Sequence, residues 1–326
     1  MKKELNEIKV IKSNNIDNLN LKIKLPYPYT KEMYRILKKE NKFEQEYYYL
    51  KRKKDYAFFT IYKNKMNIFT FGKFQLFINI KVIGYPCSLS NSGYITNNEK
   101  MMMDYIKTIK GAKLVLNVSK NNNYKDYTLG ETLPTCIFNN RYKNIDEYLN
   151  SLRAPYRRRI QKSIKKCENL KLKELKNINN DIYNLYLNTY NKSNYKLEKL
   201  EKEFFNKIDA TKLVYFKDEK PVGFTLLKKA DNKLIFMLCG MDYTIDTTDL
   251  YYFMLYNIIK YAIKNKCETI DFGQTSEETK LKFGSFLEKR YLYIHHSNKI
   301  LNIIASIIKG LLEYKYSFPN YRVFKE

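Results

Sequence analysis

The chain has 326 residues, 44% of them hydrophobic, and 60 lysines and arginines against 34 acidic residues give it a formal net charge of +26. That length and apolar content suffice for two ordinary domains or one large one, and no apolar run reaches the roughly 20 residues of a membrane-spanning helix. The five cysteines are scattered without CxxC spacing, and the two histidines are neighbours, His295 and His296. This pattern argues against a zinc site or a disulfide scaffold, and no metal is expected.

The opening "MKKELNEIKV" is charged and has no apolar signal core, so the chain is expected in the reducing cytoplasm. Part of the positive charge follows from a composition rich in Lys, Asn, Ile and Tyr. The remainder calls for an anionic partner: a phosphate-bearing donor, tRNA, or an acidic membrane surface touched peripherally.

In chain order, "LPYPYT" (Leu25 to Thr30) interrupts any helix, and "YTKEMYRILKKENKFEQEYYYLKRKK" reads as helical and charged. From Tyr56 the texture becomes β: "YAFFTIY" and "MNIFTF", separated by a turn at Lys63-Asn64-Lys65, then "FQLFINIKVIGYP". A helix over about 98–110 precedes strands at 113–118 and 132–138. The stretch 144–170 reads as a long basic helix broken at Pro155, with further helices over 181–190 and 197–208. The second half then repeats the texture of the first: strands 212–217, 221–229 and 233–240, a helix over 249–264, the strand "ETIDFG", a helix in "SEETKLKFG", and a last strand "RYLYIHH". The helix has one apolar face, Tyr251, Met254, Leu255, Ile258 and Ala262, with Thr247, Thr248 and Asp249 as cap candidates. The stretch "ILNIIASIIKGLL" (Ile300 to Leu312) is too short to span a bilayer and reads as a buried or interfacial helix.

This order resembles the GNAT acyltransferase superfamily, in particular its two-lobed branch that includes the FemABX-type peptidyltransferases and acetyltransferase domains of peptidoglycan and capsule loci. The resemblance rests on "KDEKPVGFTLL", "DLYYFMLYNIIKYAIKNKCETIDFG", "GQTSEETKLKFG" and the basic segment "IDEYLNSLRAPYRRRIQKSIKK". It implies an α/β (α+β) fold of mixed sheets flanked by helices in two GNAT-like lobes, with boundaries at 1–144 and 145–326. It also implies an N-acyltransferase in which an amine attacks an activated acyl donor, acetyl-CoA or another acyl-CoA, with aminoacyl-tRNA as the alternative. The acceptor would be a small molecule, a peptide or a cell-wall or capsule precursor. A non-catalytic nucleic-acid or membrane-surface binder on the same fold is a third reading. One departure stands out. Where acetyl-CoA-binding members carry a glycine-rich loop whose N–H groups hold the pyrophosphate, this chain has "GMDYTIDTTDL" (Gly240 to Leu250), with Asp242 and Asp246 and no second glycine.

Two places gather candidate site residues. In "DFGQTSEETK", Asp271 lies where an apolar strand ends, and ligands of open α/β sheets collect beyond the carboxyl ends of strands. The resemblance makes a lysine in the K-x-x-F-G context the stabiliser of the transferring acyl group; Lys280 fits best and Lys282 is the alternative. Asp271 and Glu278 are candidate proton acceptors, and Gln274 and Thr275 candidate donor contacts. For phosphate contact the candidates are Arg153 and Arg157 in the basic run, whose guanidinium forks suit phosphate oxygens, together with Gly240, Thr247 and Thr248. No activated nucleophile is visible, so direct transfer is expected, with a backbone N–H near Met237 to Gly240 as a further oxyanion donor.

Overall fold

The computed structural model describes residues 7–325, and these fall into two compact units. The first unit holds the chain up to Leu133 together with Leu197–Leu200 and Lys289–Tyr316; the second holds Pro134–Lys196, Glu201–Glu288 and Ser317–Glu326.

The first unit starts with β1 (Lys9–Ser13) and helix α1 (Lys31–Glu40), then β2 (Gln45–Arg52), β3 (Asp55–Asn67), β4 (Phe77–Ile83), β5 (Tyr94–Thr96), α2 (Glu99–Thr108), β6 (Ala112–Val118) and the start of β7 (Thr128–Asn139). Thr30 and Asn98 cap the two helices with side-chain oxygens that accept from the Met33 and Met101 amides, satisfying donors that have no partner inside a helix. The second unit adds α3 (Ile145–Ser151), α4 (Ala154–Lys166), β8 (Lys171–Leu175), α5 (Asn180–Lys192), α6 (Lys202–Lys207), β9 (Thr211–Lys217), β10 (Lys220–Ala230), β11 (Lys233–Met241), α7 (Thr247–Lys264), β12 (Thr269–Asp271) and α8 (Glu277–Leu281). The chain then returns to the first unit through β13 (Phe286–His296), α9 (Lys299–Ile307) and α10 (Lys309–Leu312).

Strand order in the first unit is β1-β2-β3-β4-β6-β13, with β5 alongside β3. In the second unit it is β7-β12-β11-β10-β9-β8. Each unit therefore contains the same layout: three antiparallel strands, a crossover helix, a strand parallel to the third, and an antiparallel strand beyond it. The pseudo-repeat suggested by the texture of the two halves exists at the level of topology. Each unit has its own core, around Phe59, Met102, Ile106 and Val115 in the first and Phe138, Met254, Leu255, Ile258 and Ile270 in the second. The α7 stripe Met254, Leu255, Ile258 and Ala262 is fully buried.

Several local expectations change. Residues 45–52, expected to be helical, form β2, because Tyr47, Tyr48, Tyr49 and Leu50 are all buried as a strand covered on both faces. Aromatic residues suit such a pleated setting better than a helix. Lys63-Asn64-Lys65 is not a turn; it lies inside β3, in register with Lys81, Ile80 and Asn79. The helix expected over 197–208 shortens to α6, and the long basic helix divides at Leu152-Arg153, with Pro155 in the first turn of α4, where a missing N–H costs nothing.

Candidate active site

The two units differ at one structural point. In the first unit β6 pairs with β4 at that strand's C-terminal end, over Lys81–Ile83. In the second, β12 pairs with β11 only at its N-terminal end, Lys233–Ile235 against Thr269–Asp271. Six further residues of β11, 236–241, then continue against β10 alone among the described strands. The chain leaving β12 meanwhile stays with β7: Phe272 N donates to the Cys136 carbonyl (2.9 Å) and Cys136 N to the Gly273 carbonyl (3.1 Å). Two parallel strands that begin together and then separate open a gap at their carboxyl ends, the place where α/β sheets collect ligands. Beside that gap, the β10–β11 ladder slips its register at Met237, a bulge that re-aims backbone groups.

The turn from β12 into α8 borders the gap. Gly273, Thr275 and Ser276 all have left-handed backbones, with φ of 72°, 63° and 52°. For Thr and Ser such conformations cost of order 1–3 kcal/mol each and persist only where the surroundings enforce them. Asp271 supplies part of that enforcement. It is buried and accepts from the Thr135 hydroxyl (2.7 Å) and the Gly273 amide (2.9 Å), and it pairs with Lys233 at 2.9 Å. Burial pushes its carboxyl upward, but the Lys233 ammonium and these bonds outweigh that and hold it below the usual carboxylate range. Asp271 is thus a weak base that anchors the turn.

Lys280 is buried, with 2% of its surface exposed, and its Nζ donates to the carbonyls of Gln274 (2.8 Å) and Gly273 (3.2 Å). An ammonium has three donors; the third finds no partner among the described residues. Burial lowers its pKa, opposed by Cys136, Glu277, Cys239 and Asp271 around it. Lys282, the alternative lysine, instead pairs on the surface with Glu278 (2.9 Å).

The acid brought to Lys280 is Glu277, not Glu278. Glu278 is exposed and accepts from Lys282 and from the Tyr321 hydroxyl (2.8 Å). Glu277 is buried, and its Oε1 has no hydrogen-bond partner among the described residues. The reason is helical spacing: in α8 residues three apart share a face, so Glu277 travels with Lys280 and Glu278 with its i+4 neighbour Lys282. That spacing was present in "SEETKLK", but whether the face carrying Lys280 points inward is a tertiary fact. Also close to these groups are Tyr251 of α7, whose phenol burial pushes up in pKa beside Ser276, and the thiols of Cys136 and Cys239, each pushed up to about 11 by burial. Neither thiol is a thiolate at neutral pH, so neither is an activated nucleophile.

The start of α7 is acidic. Asp246 is the N-cap and accepts from the Thr248 amide (3.0 Å). Asp249, buried in the first turn, accepts from Arg159 (2.6 Å) and the Ser163 hydroxyl (2.7 Å) and pairs with Lys166 (2.6 Å). Burial raises the Asp249 carboxyl, but Lys166, Ser163 and Arg159 together hold it far below its ordinary value. The Arg159 guanidinium also lies 4.0 Å from the centre of the Tyr252 ring. These contacts lock α4 to α7. They also fill the helix end with carboxylates where a pyrophosphate would need bare N–H groups.

Of the proposed phosphate residues, Thr247 and Thr248 lie at that helix end and the others do not. Arg153 is the N-cap residue of α4, its Nε donating to the Phe324 carbonyl (3.0 Å) and its backbone N to the Val323 carbonyl (2.9 Å). Arg157 lies one turn on, half-buried. Gly240 is packed beneath α5, where an added Cβ would come within 2.5 Å of the Leu185 and Tyr186 backbone, so its smallness serves helix-on-sheet contact. Thr247 and Thr248 are at the start of α7 behind the Asp246 cap, and Thr275 is one of the left-handed residues. Arg159, which holds Asp249 and lies over the Tyr252 ring, was not among the residues singled out in the sequence. His295 and His296 belong to the first unit.

The family model described as acetyltransferase (GNAT) domain matches residues 154–281. That stretch is similar to a GNAT acetyltransferase domain. The matched stretch runs from the first residue of α4 to the last of α8 and includes the β11–β12 divergence, Glu277 and Lys280; the chain is an acyltransferase. No curated protein matches the sequence. Among solved structures, L-PGS from Bacillus licheniformis is 9% identical, covering 90% of this chain and 100% of that one with a TM-score of 0.51. A tandem GNAT protein from the clavulanic acid biosynthesis pathway is 7% identical, covering 90% and 99% with a TM-score of 0.51. At such identities these likenesses speak for the GNAT fold. FemX, 13% identical over 84% of this chain and 93% of its own, reaches a TM-score of 0.48. Among the described residues no three His, Cys, Asp or Glu side chains group as metal ligands.

Proposed function

We propose that the second unit catalyses direct attack of a free amine on the ester carbonyl of an aminoacyl-tRNA, and that it acts on a peptide or a cell-wall or capsule precursor bearing that amine. The observation that carries the choice of donor is the α7 N-terminus, where Asp246 caps the helix and Asp249 fills its first turn. A CoA pyrophosphate brought there would meet two carboxylates and a cap already in place, so the residues present do not fit CoA in the family's usual pose. A tRNA makes many separate phosphate contacts and needs no such cradle, and the net charge of +26 suits it.

In this reading the amine nitrogen forms a bond to the carbonyl carbon, and the oxygen gains the negative charge. The remaining N–H of Lys280 donates to that oxyanion. Glu277 accepts the proton that the amine loses, directly or through one water, and returns it to the departing ribose hydroxyl as the C–O bond breaks. Asp271 holds the Gly273–Ser276 turn in shape. The protonated thiols take no covalent part.

Binding measurements discriminate the donors. Charged tRNA should bind with affinity that falls steeply with salt, and acetyl-CoA and longer acyl-CoAs should leave the melting temperature unchanged. Saturable stabilisation by an acyl-CoA, with N-acylated product formed from it, would overturn the donor assignment and restore acyl-CoA.

A further inference from the structure

The first unit carries an inverted helix. In α9 no residue is buried, and the outward stripe is apolar: Ile300 (68% exposed), Ile303, Ile304 and Ile307 (75% exposed), continued by Leu311 of α10. These positions follow the i, i+3, i+4, i+7 rule of an amphipathic face, but the face points to water. The polar Asn302 faces the body instead, its Nδ2 donating to the Asp126 carbonyl (2.8 Å) and its Oδ1 accepting from the His296 amide (2.9 Å). A helix pinned by its asparagine while displaying its isoleucines is arranged to bury them against something else.

A second apolar element lies in the same unit. Between β3 and β4 the chain exposes Phe74 (68%) and Leu76, and β4 opens on the exposed Phe77. Phe71 of that loop packs on Tyr314, just past α10, with ring centres 5.2 Å apart. Neither element carries an acid: residues 65–77 contribute Lys65 and Lys73, and residues 299–312 contribute Lys299 and Lys309. Beside the start of α9 is a hollow of about 400 Å³ whose lining includes Lys63, Lys65, Lys81 and Gly111. Gly111 N donates to the Ser297 hydroxyl (2.9 Å), one residue before the Asn298 cap of α9.

We propose that this face of the first unit docks on an anionic lipid bilayer, with α9 lying in the interface plane, its isoleucines among the acyl chains and the lysine-lined hollow taking a phosphate headgroup. Charge selects this occupant. Two copies of the chain meeting through the patch would bring lysines against lysines, whereas an acidic bilayer complements both the apolar stripe and the cations around it. The inference is independent of the donor assigned to the second unit.

The test is co-sedimentation of the full chain with vesicles of equal parts phosphatidylglycerol and phosphatidylcholine, against vesicles of phosphatidylcholine alone. Binding is expected to the anionic vesicles only and to weaken with salt. Paired substitutions Ile303→Asp and Ile307→Asp should lower it by about tenfold or more, with circular dichroism and melting temperature unchanged because both side chains are exposed. Phe74→Asp should lower it independently, and Lys63→Gln with Lys65→Gln should flatten the salt dependence. The proposal is overturned if anionic vesicles fail to sediment the chain, if neutral vesicles sediment it equally, or if the isoleucine variants bind like the parent. A dimer in light scattering that those same variants dissociate would also overturn it, by assigning the face to self-association.

Discussion

Replacing Lys280 by Met keeps the length of the side chain and removes its charge. Two charge-assisted bonds to carbonyls disappear, at 2.8 and 3.2 Å, each contributing about 1.5–3 kcal/mol. Against that loss of about 3–6 kcal/mol stands relief from burying an ammonium, which costs several kcal/mol. The Gly273 carbonyl keeps its bond from Cys136 N, and Met fills the space with similar volume. The net change in stability should therefore stay within about 2 kcal/mol, a melting shift below about 8 °C for a unit of this size. Loss of an oxyanion donor costs about 10²–10³ in turnover, or about 2.7–4 kcal/mol of barrier. Turnover of charged tRNA under saturating acceptor, measured alongside the melting curve, separates the two effects. If Lys280→Met turns over within about tenfold of the parent, or if its activity falls only as the folded fraction falls, the catalytic role is refuted.

Glu277→Gln should slow turnover by about 10²–10⁴, the range of a lost general base. Glu278→Gln should leave it within about threefold, since an exposed pair contributes under about 1 kcal/mol; equal effects in steady-state assays would reverse the assignment. Asp249→Ala leaves Arg159 and Lys166 without their carboxylate and should destabilise the second unit by about 2–3 kcal/mol in denaturant titrations, trimmed by the partly exposed cations. Because the Asp249 carboxyl is depressed in the folded state, that contribution is full above its ordinary value of 3.8 and fades as pH falls below it, so the gap between variant and parent should close in acid. In the first unit, burial lifts Glu198 from 4.5 to about 7 although it accepts from the Ser88 amide (2.6 Å) and hydroxyl (2.9 Å). The folded state then holds a proton that the unfolded chain releases, and Glu198 destabilises increasingly from about pH 4.5 to 7, by about 3 kcal/mol in all. Glu198→Gln should gain stability relative to the parent over that window in unfolding titrations. Taking the difference cancels the opposite slope from His295, which burial lowers to about 4.

The segments with a clear period were legible. The α7 stripe, the β9–β10 hairpin and the short β12 follow from spacing and turn residues, and the ordered motifs pointed to the GNAT fold. What failed was context. Tyr47–Leu50 are compatible with helix or strand, and only a sheet covered on both faces decides between them. Lys63–Lys65 look like a turn because charge and Asn usually mark one, yet neighbouring strands hold them extended. At the candidate site, Lys280 and Asp271 were singled out by their place after a strand. Glu278 was named where the structure buries Glu277 beside Lys280, because one position of helical phase cannot be read from five residues. Arg159 looked like any other arginine in its run until Asp249, 90 positions later, came to meet it.

The division of the chain between its two units has a bearing on how it is made. The first unit needs residues 289–316 for β13 and α9, and the second needs the segment after them, where Val323 and Phe324 bond to Arg153 and Phe324 lies over Gly284. A ribosome delivers these pieces after the rest of both units. Neither unit can close until its late segment has left the exit tunnel, when most of the chain is already outside, so the usual domain-by-domain order of co-translational folding does not apply. Cutting the gene near codon 144 would yield two incomplete halves rather than two lobes.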